Sequence, residues 1–350
     1  MKKVLLIGAG HAHLVVLKKL IEKPLYGARF MLVSPQPRQI YSGMLPGLIA
    51  GHYRLREIEV DVHGLAGRAR AEYQQGEVQS VDLGGRTARL SDGTVLEYDL
   101  LSLSIGSMVD QSIPGAREHA LAVKPFESFI GSLDDGRLAR IAIAGFGAAG
   151  TELAMALRRR GAGVTLYSDT PAMSAALAQR AVSAMRRAGV DFRPGMAVDA
   201  IEPGPVVVSG TSSQEFDAVL LTTGPAAAPW LRECGIATDE RGFVLVDDGL
   251  RSVSHPDLFA AGDCATLRNA PHPKSGVYSV RHGDILDENL RNVVARAPLA
   301  RYAPQAKSLV LISCGGKYAI AERGGWTAEG AWVWRWKNWI DRRWLRSLNA

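Results

Sequence analysis

Two short stretches have the residue types and spacing to cradle a phosphate: Gly8-Ala9-Gly10-His11-Ala12-His13 and Gly145-Phe146-Gly147-Ala148-Ala149-Gly150. In such a turn the first glycine permits a tight bend, the second lets backbone approach a pyrophosphate, and the third lets the helix pack on the preceding strand. The helix start then offers free N–H groups and the positive end of its dipole to the anion. The second copy is complete in Gly145, Gly147 and Gly150. In the first, Gly8 and Gly10 keep their places and His13 stands where the third glycine would be. His13 must therefore either alter the helix–strand packing or, like His11, contribute to the bound cofactor's site; the two histidines lack the neighbouring ligands a metal would need. A carboxylate for the ribose hydroxyls is expected at the end of the following strand. Ser34 and Ser168 occupy those places instead, with Asp169 one residue late. Neither place carries an arginine for a 2′-phosphate, which favours NADH over NADPH.

Each turn needs a strand before it and a helix after it. Apolar runs over residues 3–7 and 140–144 supply the strands, and apolar residues at helical spacing follow both turns. Second strands at 29–33 and 164–167 close two units of the length usual for strand–helix–strand motifs. Between them, residues 77–98 alternate in short β-rich pieces with turns at Gly84-Gly85 and Asp92-Gly93, the pattern of a meander. Two later strands end in Thr222-Thr223-Gly224 and in Gly262-Asp263, the second returning the chain to its first domain. The expected fold is α/β: two Rossmann-like three-layer dinucleotide-binding domains, the second inserted in the first, with a β meander and a C-terminal helical tail. The expected boundaries are 1–115 with 235–310, then 116–234, then the tail at 311–350.

Composition narrows the classes. At 350 residues, 47% hydrophobic and 22% charged, the chain is long enough for two well-packed domains and too apolar to be disordered. No apolar run approaches the roughly 20 residues that span a bilayer. The opening Met1-Lys2-Lys3 runs straight into a strand with no secretory signal, so a cytoplasmic protein is expected. A formal charge of +6 does not indicate nucleic-acid binding. Three cysteines at wide spacing, Cys234, Cys264 and Cys314, fit neither a disulfide framework nor a zinc site.

On the paired glycine turns, Thr222-Thr223-Gly224 and Leu258-Phe259-Ala260-Ala261-Gly262-Asp263, the chain resembles flavoproteins of the pyridine nucleotide-disulfide oxidoreductase superfamily over residues 3 to about 290. The resemblance implies FAD at the first turn, NAD(P)H at the second, and Asp263 against the flavin's ribityl-phosphate region. Gly150-Thr151-Glu152-Leu153-Ala154 is similar to a motif of flavin-dependent NADH dehydrogenases, which implies that Glu152 lies near nicotinamide and flavin; an acidic residue in a first helical turn is also favourable in itself. Disulfide reductases of this kind carry a cysteine pair where this chain reads Tyr41-Ser42-Gly43-Met44-Leu45-Pro46, so a disulfide relay is not expected. Cys264 and Cys314 leave the thiol chemistry of sulfide:quinone oxidoreductases as an alternative. The nearer resemblance is to type II NADH:quinone oxidoreductases, in particular to the FAD domain found fused to selenide, water dikinase, on the first turn, residues 41–47, Val123-Lys124-Pro125, Pro273-Lys274-Ser275-Gly276-Val277-Tyr278 and Trp334-Arg335-Trp336-Lys337. Where quinone reductases carry Ala-Gln and Gln-Gln beside the flavin, this chain has Gly276-Val277 and Arg281-His282.

The resemblance implies hydride transfer from NADH to flavin and then two electrons to a quinone arriving near residues 41–46 and 274–282, with Lys274 stabilising reduced flavin or serving only as a surface residue. The tail holds five of the seven tryptophans and five basic residues against Asp341 alone. A helix there places Val333, Trp336, Ile340 and Trp344 near one face, with Lys337, Asp341 and Arg342 displaced. Aromatic rings beside basic groups suit the headgroup layer of an anionic membrane, so Trp332, Trp336, Trp339 and Trp344 are candidate contacts for a protein peripheral to the inner face of the cell membrane. The alternative is a helix docked on the chain's own core or on a second copy in a homodimer. Two other functions stay open: a soluble reductase of a carrier protein or of a selenium or sulfur compound, and a redox-sensing flavoprotein that is not an enzyme.

Overall fold

A strand of unbroken apolar residues is stable only when both its faces are covered, which is the situation of a parallel sheet between helices. Val4, Leu5 and Leu6 of β1 (Lys2–Ile7) are at most 2% exposed. In the computed structural model, which describes residues 1–134 and 138–350, β1 lies at the centre of a five-stranded parallel sheet. On one side are β2 (Ala28–Ser34) and β3 (Glu72–Gln75); on the other are β4 (Leu100–Leu103) and β10 (Leu258–Ala260). Helix α1 (His11–Glu22) makes the crossover from β1 to β2.

The arrangement repeats from Arg140. Strand β6 (Arg140–Phe146) sits between β7 (Gly163–Pro171) with β8 (Asp191–Pro194) and β9 (Ala218–Leu221) with β5 (Leu121–Ala122), all parallel, and α2 (Ala148–Arg159) makes the crossover. Because β10 follows this sheet in sequence yet pairs with β4 of the first, the second unit is an insertion in the first. The two connections between the units are themselves joined, Met108–Val109 pairing antiparallel with Pro225–Ala226. The meander is present as Val78–Asp82, Thr87–Leu90 and Val95–Glu97.

Two three-stranded antiparallel sheets were not expected from the sequence. Ala200–Glu202, Val206–Ser209 and Ser212–Glu215 form one. The other is β11 (Val310–Ser313), β12 (Ala319–Arg323) and β13 (Trp326–Gly330), so the closing segment is a sheet before it is a helix. Its strands are four or five residues long, too short for alternation to register clearly.

The terminal helix α4 (Ala331–Asn349) departs from expectation in its phase. Its buried side chains are Val333, Lys337, Asp341, Leu345 and Leu348, whereas Trp332 and Trp339 are about half exposed. The charged pair that was to face water is the pair that docks. Contacts with the chain around residues 41–68 fix this rotation: Tyr41 donates to Asp341 (3.1 Å), Tyr53 to Asn338 (2.8 Å), Arg342 to Glu57 (3.0 Å), and the Asp61 N–H to Asn349 (3.0 Å). Trp344 turns inward with its indole nitrogen buried.

Helix α3 (Gly276–Ala295) lies directly on α1 at Gly283, where a β-carbon would stand 2.5 Å from Val15 Cβ and 2.8 Å from the Ala12 carbonyl. Gly283→Val should therefore separate the two helices; overpacking of this kind costs about 1–3 kcal/mol. Urea unfolding followed by circular dichroism should show the midpoint fall with an unchanged slope, and an unchanged midpoint would mean the contact carries no load.

Candidate active site

The first glycine turn is shaped by the end of β4. A β-carbon on Gly8, at φ +86°, would lie 2.6 Å from the Ser104 carbonyl, and one on Gly10 would lie 2.3 Å from it. In the second turn the end of β9 does the same: a β-carbon on Gly145, at φ +117°, would lie 2.5 Å from the Thr222 carbonyl, and one on Gly150 would lie 2.1 Å from the Gly145 carbonyl. Gly147 has open space around it, its nearest would-be neighbour being Ala172 at 3.7 Å. Neither helix start is capped by a side chain, and neither carries an acidic residue in its first turn, so both positive ends are left for an anion. The same holds for α3, which begins at Gly276. These cradles fit the pyrophosphates of two dinucleotides.

His13 resolves toward packing. Its Nδ1 lies 2.6 Å from the Gly8 carbonyl and its Nε2 2.8 Å from Ser102 Oγ, inside the protein. A carbonyl only accepts, so Nδ1 carries the proton and Nε2 accepts from the serine. Burial pushes the imidazole's pKa down to about 4, which keeps it neutral. The ring ties turn to strand; in the second copy the Thr222 hydroxyl donates to the Gly145 carbonyl at 2.9 Å to the same effect. His11, by contrast, faces a slot between elements: its ring is 5.7 Å from that of Tyr41 and stacked at 6.2 Å with that of Trp344, and its Nε2 stands 3.8 Å from where a Gly276 β-carbon would be.

Ser34 and Ser168 are buried, and their hydroxyls donate to the carbonyls of Gln36 (3.2 Å) and Thr170 (2.9 Å). Only their oxygen lone pairs remain for a ribose. Pro46 is buried in the short helix Leu45–Ile49, and Val277 is 40% exposed at the start of α3. The Gly262 N–H donates to His282 Nδ1 (2.9 Å), and Asp263 accepts from Ser279 Oγ (3.3 Å), so this turn is braced against α3. Gly224, at φ +121°, follows Thr223, whose hydroxyl donates to the Asp110 carbonyl at 2.5 Å. Lys274 is held just beyond the Gly262-Asp263 turn: its ammonium donates to the Ala265 carbonyl and, at 2.7 Å, to Thr266 Oγ1, and it lies over the Phe243 ring at 4.2 Å. Burial draws its pKa down to about 8.

Glu152, in the second turn of α2, faces α4. Its Oε1 accepts from the Ser313 N–H at 2.7 Å, and burial pushes its carboxyl up to about 7 against the pull of Lys337. Lys337 and Asp341 form a 2.8 Å ion pair within the protein, and burial works against the lysine's charge, but Asp341 and Glu152 hold its pKa above the usual lysine value. Sequence reasoning missed Lys337 and Asp341 as site residues. Their i, i+4 spacing was the available signal, but it reads equally as a solvated pair.

With this geometry in hand, the chain can be set beside known proteins. The sequence profile described as pyridine nucleotide-disulphide oxidoreductase matches residues 2–283. The chain belongs to that family. Its members are NAD(P)H-dependent flavoprotein oxidoreductases, with FAD and a nicotinamide dinucleotide as cofactors. This pyridine nucleotide-disulphide oxidoreductase is 31% identical over 249 residues to an NADH dehydrogenase-like protein of Mycobacterium tuberculosis, an alignment covering 64% of this chain and 61% of the relative. The chain thus spans less than two thirds of that relative's length. It is 24% identical over 312 residues, 80% of this chain and 76% of the relative, to demethylphylloquinone reductase NdbB of Synechocystis. Among solved structures, the sulfide:quinone oxidoreductase of Aquifex aeolicus superposes with a TM-score of 0.83 at 18% identity, over 100% of this chain and 92% of that one. NDH2 of Plasmodium falciparum superposes with 0.81 at 12%, over 99% and 98%. These superpositions establish the shared fold.

Despite the family's title, the described cysteines are all free; burial raises the thiols of Cys264 and Cys314 to about 11 and about 12, which leaves neither as the thiolate a disulfide relay requires. The two glycine turns should be separable by mutation. Gly10→Ala is expected to yield colourless protein, and Gly150→Ala a yellow protein that NADH no longer bleaches; absorbance spectra before and after NADH decide both, and loss of flavin from the second variant would contradict the assignment of the turns.

Proposed function

We propose that the chain is a dehydrogenase that takes a hydride equivalent from NADH and one proton from solvent and delivers both to a quinone-type acceptor. The observation that carries this is the buried group of Glu152, Lys337, Asp341 and Tyr41, which gathers proton-holding side chains against the segment that begins at Tyr41, where disulfide reductases carry their cysteine pair. Reducing a quinone requires protons as well as electrons; reducing a one-electron protein carrier does not. The relatives named as demethylphylloquinone reductase, NDH2 and sulfide:quinone oxidoreductase are consistent with it.

On this reading residues 1–115 and 235–310 hold FAD, residues 116–234 hold the nicotinamide nucleotide, and residues 311–350 close the acceptor side. Gly8, Gly10 and the first N–H groups of α1 would bind one pyrophosphate, and Gly145, Gly147 and the start of α2 the other. Bound FAD supplies the two-electron carrier between donor and acceptor. Asp263 would accept hydrogen bonds from the ribityl chain, held in place by Ser279. The uncapped start of α3 would favour negative charge beside His11, the task first considered for Lys274. Asp169, exposed at the end of β7, disfavours a 2′-phosphate, so NADH is the donor. Glu152, neutral below about pH 7, serves as the proton donor to the acceptor.

No described helix is long and apolar enough to cross a membrane. A lipid-dissolved acceptor is reached instead through the outer face of α4, where Trp332 (49%) and Trp339 (52%) are exposed beside Arg335 and Arg343. Trp336 is half-buried against Trp332, and Trp344 is withdrawn from this surface by its contact with His11.

Glu152 ionises as pH rises, so turnover with a soluble quinone should fall through about pH 7. Glu152→Gln should retain FAD, lose that limb and turn over at least about a hundredfold more slowly, as expected when a general acid is removed; a variant with the wild-type pH profile would eliminate this role. The double variant Trp332→Ala, Trp339→Ala should keep turnover with a water-soluble quinone but bind anionic vesicles about tenfold or more weakly, the equivalent of about 1.4 kcal/mol. Cosedimentation equal to that of the wild type would remove α4 as the membrane contact.

A further inference from the structure

Most of the buried face of α4 needs no charge to dock. Val333, Leu345 and Leu348 are packed there at 4% exposure or less, and further leucines would serve the turns between them as well. Those turns instead carry Lys337 and Asp341, 7% and 5% exposed. Their partners are specific. Lys337 Nζ donates to Asp341 Oδ2 at 2.8 Å and to the Gly43 carbonyl at 2.5 Å, while the Tyr41 hydroxyl donates to the remaining carboxylate oxygen, Oδ1, at 3.1 Å. Both oxygens of Asp341 and two of the three ammonium protons are thereby committed. The further carboxyl whose charge acts on this ammonium is Glu152, itself held by the Ser313 N–H at the end of β11.

We infer that Asp341 is a positioning residue of the acceptor site: it fixes the Lys337 ammonium where it acts on the Glu152 carboxyl, and Tyr41 fixes Asp341 in turn. The inference rests on the reading of Glu152 as the proton-holding group, and it gives α4 a task apart from any contact with lipid. The two charges act on Glu152 with opposite sign. Lys337 favours the carboxylate and Asp341 disfavours it, both against the larger effect of burial. From other elements, Tyr41 and Tyr53 face the pair from the segment around residues 41–53, and Cys314 faces Glu152 from the end of β11. Among these, Lys337 and Asp341 are the two carried by α4, so the seating of one helix determines the balance.

Removing the carboxylate charge in Asp341→Asn lifts a repulsion from Glu152 and frees the ammonium to turn fully toward it, so Glu152 should ionise at lower pH. Removing the cation in Lys337→Met should make it ionise at higher pH. Lys337→Arg keeps the charge and should stay close to the wild type.

The test is an infrared titration of the purified FAD-loaded protein across the neutral range. The carbonyl stretch of protonated Glu152 is assigned by its loss in Glu152→Gln. The expected result is a midpoint moved down by about one pH unit in Asp341→Asn and up by a similar amount in Lys337→Met, each unit being a tenfold change in the ionisation constant. Midpoints that move together or stay fixed, in variants with wild-type flavin spectra and melting temperatures, would overturn the inference. If Lys337→Met does not fold, Lys337→Arg decides with Asp341→Asn: an arginine midpoint displaced as far as the asparagine one, in the same direction, is equally fatal. The functional reading fails separately, when NADH does not bleach the flavin of the unaltered protein.

Discussion

At both glycine turns backbone closes on backbone, and the rest of the fold is arranged around those approaches. The carbonyl after β4 fills the space a side chain would need at Gly8 and Gly10, and the carbonyl after β9 does so at Gly145, with the Gly145 carbonyl in turn closing on Gly150. A turn squeezed this tightly can hold its N–H groups toward an anion only if strand and helix are fixed relative to one another. The two parallel sheets, each with the glycine strand at its centre, provide that fixity. Where the first turn lacks its third glycine, His13 restores the tie with two hydrogen bonds and no charge.

Charge within the fold is placed as deliberately as its absence. Three helices begin uncapped and without acidic residues, which concentrates positive potential where phosphates and a reduced ring would lie. The compensating negative and proton-bearing groups sit across the slot, on α2 and α4. The chain's last helix therefore belongs to the interior of the site on one face and to its surroundings on the other, with Lys337 and Asp341 inward and Trp332 and Trp339 outward.

Much of this was legible in the amino-acid order. Glycine spacing reports backbone geometry directly, so both turns, both crossovers and the return of β10 to the first sheet could be read before any coordinates. The short antiparallel strands of residues 200–215 and 310–330 could not, because three to five residues carry too little periodicity. The rotation of α4 was misread for a different reason: apolar patterning assumes that charge faces water, and the buried Lys337–Asp341 pair obtains its compensation from Tyr41 and Gly43, almost three hundred positions away in the chain. Lys274 was legible only in part: the resemblance implied a place beside the flavin, while the carbonyl, hydroxyl and aromatic face that hold its ammonium are partners no sequence pattern announces.

The two connections that carry the chain into the inserted unit and back out lie side by side, stitched through Met108–Val109 and Pro225–Ala226. Two separate threads would let the halves twist, slide and splay independently; a two-stranded ribbon bends far more readily than it shears. Entry to and exit from the inserted unit are thereby fixed to one another by backbone hydrogen bonds, and on the reading proposed above any change in the separation of the two grooves has to flex this ribbon.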